Sequence, residues 1–328
     1  MKKILGAASA LLMTSALLTG CATSNNSSGD SGGGSNTAKV KVVTSTDVYA
    51  DLVKQVGGDN VDVHAFVSST ATDPHSYEAS ASDKLQIKDA KLAVVNGGGY
   101  DYFLEKDAGQ NNQKVVNAGK LSDADYDHLI EHHSGGEGHG HNHGSEAEEG
   151  GGHEHAHEFN EHLWYDFDTV KKVTNKIADD LAEIDSSHAD QYRENAKKLT
   201  GEIDSLEESA KKISGKGKKY IATEPVPDYL ISSTGAENST PAEFAEAVEE
   251  GKDVPAITLQ ETKDLVTEKK VNLVAYNSQT ETSQTKEVLQ SAKDSGVANV
   301  SFTETLPENT KYVDWMKSNV SNLEKALS

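Results

Sequence analysis

The sequence predicts an α/β protein of two lobes with mostly parallel sheets, joined by one long helix. Three observations predict it. A strand–helix–strand alternation begins at Lys39, a second begins at Tyr220, and a proline-free helical run lies between them, from Phe167 to about Ser214. Alternation of this kind builds parallel sheets covered by helices.

In order, "KVKVVTST" (Lys39–Thr46) alternates valine with polar residues and reads as a strand. "DVYADLVKQVGG" sets Val48, Leu52, Val53 and Val56 at helical spacing and stops at Gly57-Gly58. "VDVHAFV" is a second strand, "ASDKLQIKDA" a short helix and "KLAVVNGG" a third strand. Tyr192, Ala196, Leu199, Ile203 and Leu206 follow three- and four-residue steps, which predicts a long helix from about Ser187 to Ile213, stopped by "GKGKK". The second alternation runs through strand "YIATE", helices near "PDYLISSTG" and "LQETKDLVTEKK", strand "VNLVAYNSQ", helix "TSQTKEVLQSAKDSG", strand "ANVSFTE" and a final helix from about Tyr312.

Of the 328 residues only 35% are hydrophobic and 6% aromatic, so part of the chain must be non-globular. The N-terminus is one such part. Lys2 and Lys3 precede an apolar stretch too short and interrupted to span a bilayer, and it ends at Leu18-Thr19-Gly20-Cys21. That pattern predicts a bacterial lipoprotein signal with lipid on Cys21, followed by a Ser/Gly/Asn tether. With no other cysteine, the chain has no disulfides and no cysteine-based metal sites. A net charge of −22 excludes nucleic acid as a partner. The expected partition is signal 1–20, tether 21–38, first lobe 39–185 including a histidine-rich loop 128–157, bridging helix 186–214 and second lobe 215–328.

Ligands in open parallel sheets sit beyond the carboxyl ends of the strands. His75 in "TDPHSYE", His162 in "FNEHLWYD", Glu224 in "IATEPVPDYL" and the group Asn277, Gln279 and Glu281 in "AYNSQTET" all lie at or near such ends or in adjoining loops. Imidazole nitrogen and carboxylate oxygen suit zinc or manganese, and pockets form preferentially between domains.

From about Lys39 onward the chain resembles the metal-binding lipoproteins of the zinc/manganese ABC-transporter family. The stretches that carry the resemblance include "QVGGDNVDVHAFVSSTATDPHSYE", "AKLAVVNGGGYDYFLEK", "NEHLWYD", "YIATEPVPDYL" and "VAYNSQTETSQTKEVLQSAKDSGV". The resemblance implies two α/β lobes bridged by a single rigid helix. It also implies a monomeric, lipid-anchored extracytoplasmic receptor, not an enzyme, that captures a divalent ion and delivers it to an ABC permease and, indirectly, its ATPase. His75 matches the first ligand histidine and His162 the second. The third position is histidine in zinc-type receptors and glutamate in manganese-type ones; here it is Glu224. The fourth region departs from the pattern: Asn277 stands where the family commonly shows glutamate, and Glu281 falls where the manganese-type aspartate is expected. Glu281 is therefore the expected fourth ligand, with Asn277, Gln279 or a water as alternatives. Asp166 and Glu78 are candidate acceptors for the imidazole N–H groups.

Between the two histidines the chain carries His128, His132, His133, His139, His141, His143, His153, His155 and His157, interleaved with Glu137, Glu146, Glu148 and Glu149. His153 to His157 reads H-E-x-x-H, but a zinc protease needs that motif on a helix, and here it follows three glycines with no apolar face. Closely spaced imidazoles capture a borderline cation through many weak arrangements, so the segment reads as an auxiliary metal-collecting loop. Manganese binds imidazole more weakly, so the loop tips the expected cargo to Zn²⁺, with Mn²⁺ or Fe²⁺ as the alternative. A zinc hydrolase and a metal-dependent surface adhesin are the rival readings. Protons compete for the imidazoles, so affinity is expected to fall as pH drops through about 6.5.

Overall fold

Four short apolar runs make the first sheet: β1 (Val40–Thr46), β2 (Val61–Val67), β3 (Leu92–Val95) and β4 (Lys114–Asn117), all parallel in the order β2-β1-β3-β4. With them come helices α1 (Asp47–Gly57), α2 (Ala81–Asp89), α3 (Tyr102–Ala108) and the single turn α4 (Ala118–Leu121). The computed structural model describes residues 38–71, 77–111, 113–123 and 159–328. The expected signal and tether, Cys21, His75 and the histidine-rich loop 128–157 lie outside the described residues.

The helical run after Phe167 divides in two at Asp185. α5 (Phe167–Ile184) belongs to the first lobe, packing on α1, α4 and β4. α6 (Ala189–Lys211) agrees with the expected long helix to within two residues at each end. Its 23 residues span about 35 Å, and it packs on α1.

The second sheet repeats the first. β5 (Lys219–Ala222), β6 (Glu237–Asn238), β7 (Leu273–Asn277) and β8 (Ala298–Phe302) are parallel in the order β6-β5-β7-β8. Its helices are α7 (Asp228–Ser233), α8 (Ala242–Glu249), α9 (Ala256–Thr267), α10 (Ser283–Ser295) and α11 (Tyr312–Ala326). α6 touches α7 and α11, so one helix bridges both lobes. Strands β4 and β6, and helices α3, α4 and α8, are not among the elements read from the sequence.

The central strands β3 and β7 are buried on both faces, which is why "LAVV" and "LVAYN" read as nearly unbroken apolar runs. The side-chain period of two divides those runs between cores. Val40, Val42, Leu92 and Val94 of the first sheet, and Tyr220, Ala222, Leu273 and Ala275 of the second, join one central cluster with α1, α5, α6 and α11. Their neighbours Val43, Ala93 and Val95 face one outer cluster, and Ile221 and Val274 face the other. The lobes therefore share a core. Among the described residues, no helix is long and apolar enough to cross a membrane.

Candidate metal centre

In both sheets the strand order reverses about the central pair, β1 and β3 in one, β5 and β7 in the other. The crevice beyond the carboxyl ends of such a pair is where open α/β sheets take ligands. Asn277 is the last residue of β7, Glu224 lies two residues past β5, and Glu304 lies two residues past β8. From the first lobe, His162 immediately precedes the helical turn Leu163–Tyr165, and Tyr100 follows β3 through Gly97–Gly99. That turn needs glycine. Gly97 and Gly98 have φ of 77° and 72°, and a Cβ on either would fall 2.4 Å from Asn117 or Phe159. The buried Asp101 carboxylate holds the turn by accepting from the Gly97 backbone N–H at 2.8 Å and from that of Asn96, and burial pushes its carboxyl up to about 6.

His162, Glu224, Asn277 and Glu304 are all buried. The Asn277 Nδ2 donates to Glu304 Oε1 at 2.8 Å and, from the same nitrogen, to Glu224 Oε2. The Thr280 hydroxyl also donates to Glu224 Oε2. The Tyr100 hydroxyl donates to Glu304 Oε2 at 3.1 Å. Burial, and then the charge of Glu304, raise that phenol well above its ordinary value, so it stays a donor. On the facing side, His162 Nε2 stands 3.9 Å from Glu304 Oε2.

The other ring nitrogen sets the tautomer. Asn160 donates from Nδ2 to the Pro225 carbonyl at 2.8 Å, so its Oδ1 is the acceptor that meets His162 Nδ1 at 2.8 Å and the His162 backbone N–H at 3.0 Å. The network thus assigns a proton to Nδ1 and places Nε2 on the side of Glu304. Trp164 and Tyr100 wall the ring, with centroids 5.3 and 6.4 Å away.

The structure brings His162, Glu224 and Asn277 together and does not bring Glu281 to them. Glu281 is exposed and pairs with Lys286 at 2.8 Å; that ammonium, then the Tyr276 hydroxyl, hold its carboxyl below the usual range. Gln279 spends its carbonyl oxygen on the backbone N–H groups of Glu304 and Thr305. A second buried carboxylate, Glu304, stands beside this group instead, and it was not among the sequence candidates. Its signal was available: a glutamate just past a strand end, as with Glu224. Asp166 caps α5 through Asp168 N and the Thr169 hydroxyl, Glu78 is exposed, and Asn160 meets the imidazole instead. Among the described residues, no three His, Cys, Asp or Glu side chains already converge as a finished metal shell.

The family model described as zinc-uptake complex component A, periplasmic, matches residues 42–326. The chain belongs to this family. Across its whole length it is 26% identical to the whole of the manganese ABC transporter substrate-binding lipoprotein PsaA of Streptococcus anginosus. It is 23% identical to the manganese-binding lipoprotein MntA of Bacillus subtilis, over 98% of this chain and 99% of that one. The structure of the periplasmic zinc-binding protein TroA from Treponema pallidum superposes with a TM-score of 0.67 at 16% identity, covering 88% of this chain and 99% of that one. As a member of the zinc-uptake component A family, the protein is an extracytoplasmic metal-binding receptor of an ABC importer, and its cargo is a divalent transition metal. The family binds and hands over its ion without bond-making, which removes the hydrolase reading of the H-E-x-x-H stretch.

Proposed function

We propose that this receptor captures Mn²⁺ through His162, Glu224 and Glu304, with His75 as a further imidazole. One observation carries the reading: two buried carboxylates share the Asn277 amide while Nε2 of a buried histidine faces one of them. Like charges packed so closely away from water are costly, and a divalent ion between them offsets that cost. Two carboxylates with two neutral imidazoles balance the ion's charge. The donor set is also richer in hard oxygen than a zinc-type site with histidine in the third position, and oxygen suits manganese. The relatives PsaA and MntA are named for manganese. These considerations favour Mn²⁺ over the Zn²⁺ expected from the sequence.

Zn²⁺ is the second reading, favoured by the histidine-rich segment 128–157. Zinc also binds a given site more tightly than manganese by the ordinary stability series, so the geometry of this centre must reverse that order. In either case Cys21 carries the lipid anchor, and a Cys21→Ala variant should leave the membrane fraction.

The test is metal competition on the purified protein, with and without residues 128–157, followed by metal analysis. Preferential retention of one Mn²⁺ equivalent, lost in His75→Ala and Glu304→Ala, supports the reading. Tighter Zn²⁺ retention after removal of the loop would overturn the choice of manganese.

A further inference from the structure

The stretch Thr303–Tyr312 leaves β8 of the second lobe, yet the first lobe grips it repeatedly. Asp47 Oδ1 accepts from the Leu306 backbone N–H at 3.0 Å, and Asp51 Oδ2 accepts from that of Tyr312 at 2.8 Å. The Tyr165 hydroxyl donates to the Thr303 carbonyl at 2.9 Å, and the Tyr312 hydroxyl donates to the Trp164 carbonyl at 2.7 Å. Both aspartates sit on α1, whose Val48, Tyr49, Leu52, Val53 and Val56 are fully buried, so they project from a rigid element. Within the second lobe, Gln279 accepts from the N–H groups of Glu304 and Thr305.

We propose that Asp47 and Asp51 are positioning residues which clamp this stretch to the first lobe, hold the Glu304 carboxylate against His162, and thereby set the rate at which the ion leaves. The inference rests on the reading of Glu304 as a ligand. Leu306 is two residues from Glu304, so a displaced Leu306 N–H moves the carboxylate with it. Beside the Asp47 bond lies a cleft of ≈ 380 Å³, lined by Asp47, Ser68–Thr70 and Leu306–Thr310. Leu306 itself is buried in the central core, and beside this open cleft the Asp47 carboxylate adds a directional, charge-assisted hold on its N–H. Lobe movement in this fold is a hinge or shear of packed elements, and bonds that cross the seam resist it.

The test measures two quantities on the full chain: hydrogen exchange at the Leu306 and Tyr312 amides, and Mn²⁺ dissociation into excess chelator, repeated with Zn²⁺. Asp47→Ala should deprotect Leu306 and speed dissociation about tenfold, the worth of one hydrogen bond to a charged group. Asp51→Ala should do the same through Tyr312. Asp47→Asn keeps an oxygen for the same N–H and should restore dissociation to within about threefold of wild type, which a loss of packing alone would not predict. Wild-type dissociation in both alanine variants, with both amides deprotected, overturns the clamp while leaving the site intact. Wild-type affinity in Glu304→Ala instead overturns the site, and the clamp's role with it.

Discussion

His162 and Glu304 come from different lobes, and their side chains face each other at 3.9 Å, Nε2 to Oε2, in almost complete burial. The imidazole is oriented by Asn160 and the carboxylate by Tyr100 and Asn277. Side chains held on every side in this way have little freedom left to lose on binding a ligand.

Removing the carboxylate from this pair should cost the protein its ion. Glu304→Ala is expected to weaken divalent-metal binding at least about 100-fold, because a ligand should matter more than its supporting partners. Glu281→Ala, which breaks only an exposed pair with Lys286, should leave affinity unchanged. Isothermal titration of both variants decides which glutamate matters, and the reverse ranking would restore the sequence expectation.

Asn160 gives a subtler test. In Asn160→Ala the His162 Nδ1–H loses its acceptor, and the Pro225 carbonyl beside Glu224 loses its donor. Affinity should fall about 10- to 100-fold without loss of the fold. Titration calorimetry together with circular dichroism would show it; an unchanged affinity would mean that the tautomer is set elsewhere.

Trp164 is fully buried between His162 and Tyr100. Truncation to alanine leaves a cavity beneath the centre and should cost about 3–5 kcal/mol of stability. Denaturant unfolding of the metal-free protein measures this directly.

Acid stability should depend on Asp185, at the junction of α5 and α6. Burial pushes its carboxyl up, but hydrogen bonds from the Ser187 hydroxyl, the His188 imidazole and the Tyr192 hydroxyl prevail and bring it down to about 2. A depressed carboxyl contributes stability above its unfolded value near ~4, and that contribution is lost as pH falls toward about 2. Melting curves between those limits should therefore slope downward with acid, and Asp185→Asn should flatten the slope.

Much of this protein was legible in residue order alone, because strand and helix periods are local properties. "LAVV" and "LVAYN" announced buried strands, the Tyr192–Leu206 spacing announced α6, Glu224 and Asn277 stood out as polar residues at or near the ends of apolar runs, and His162 as one just before "LWY". Edge strand β6, with two residues, was too short to carry a period, and β4, "KVVN", sets only two apolar residues between polar ones. The choice between Glu281 and Glu304 was of another kind. Both follow strands, and nothing near either one says which way it points. That was decided by distant groups: Lys286 draws Glu281 outward, while Gln279, Asn277 and Tyr100 fasten Glu304 into the seam. Spacing along the chain placed the strand ends, but only the packing of one lobe against the other selected which carboxylate is buried opposite the histidine.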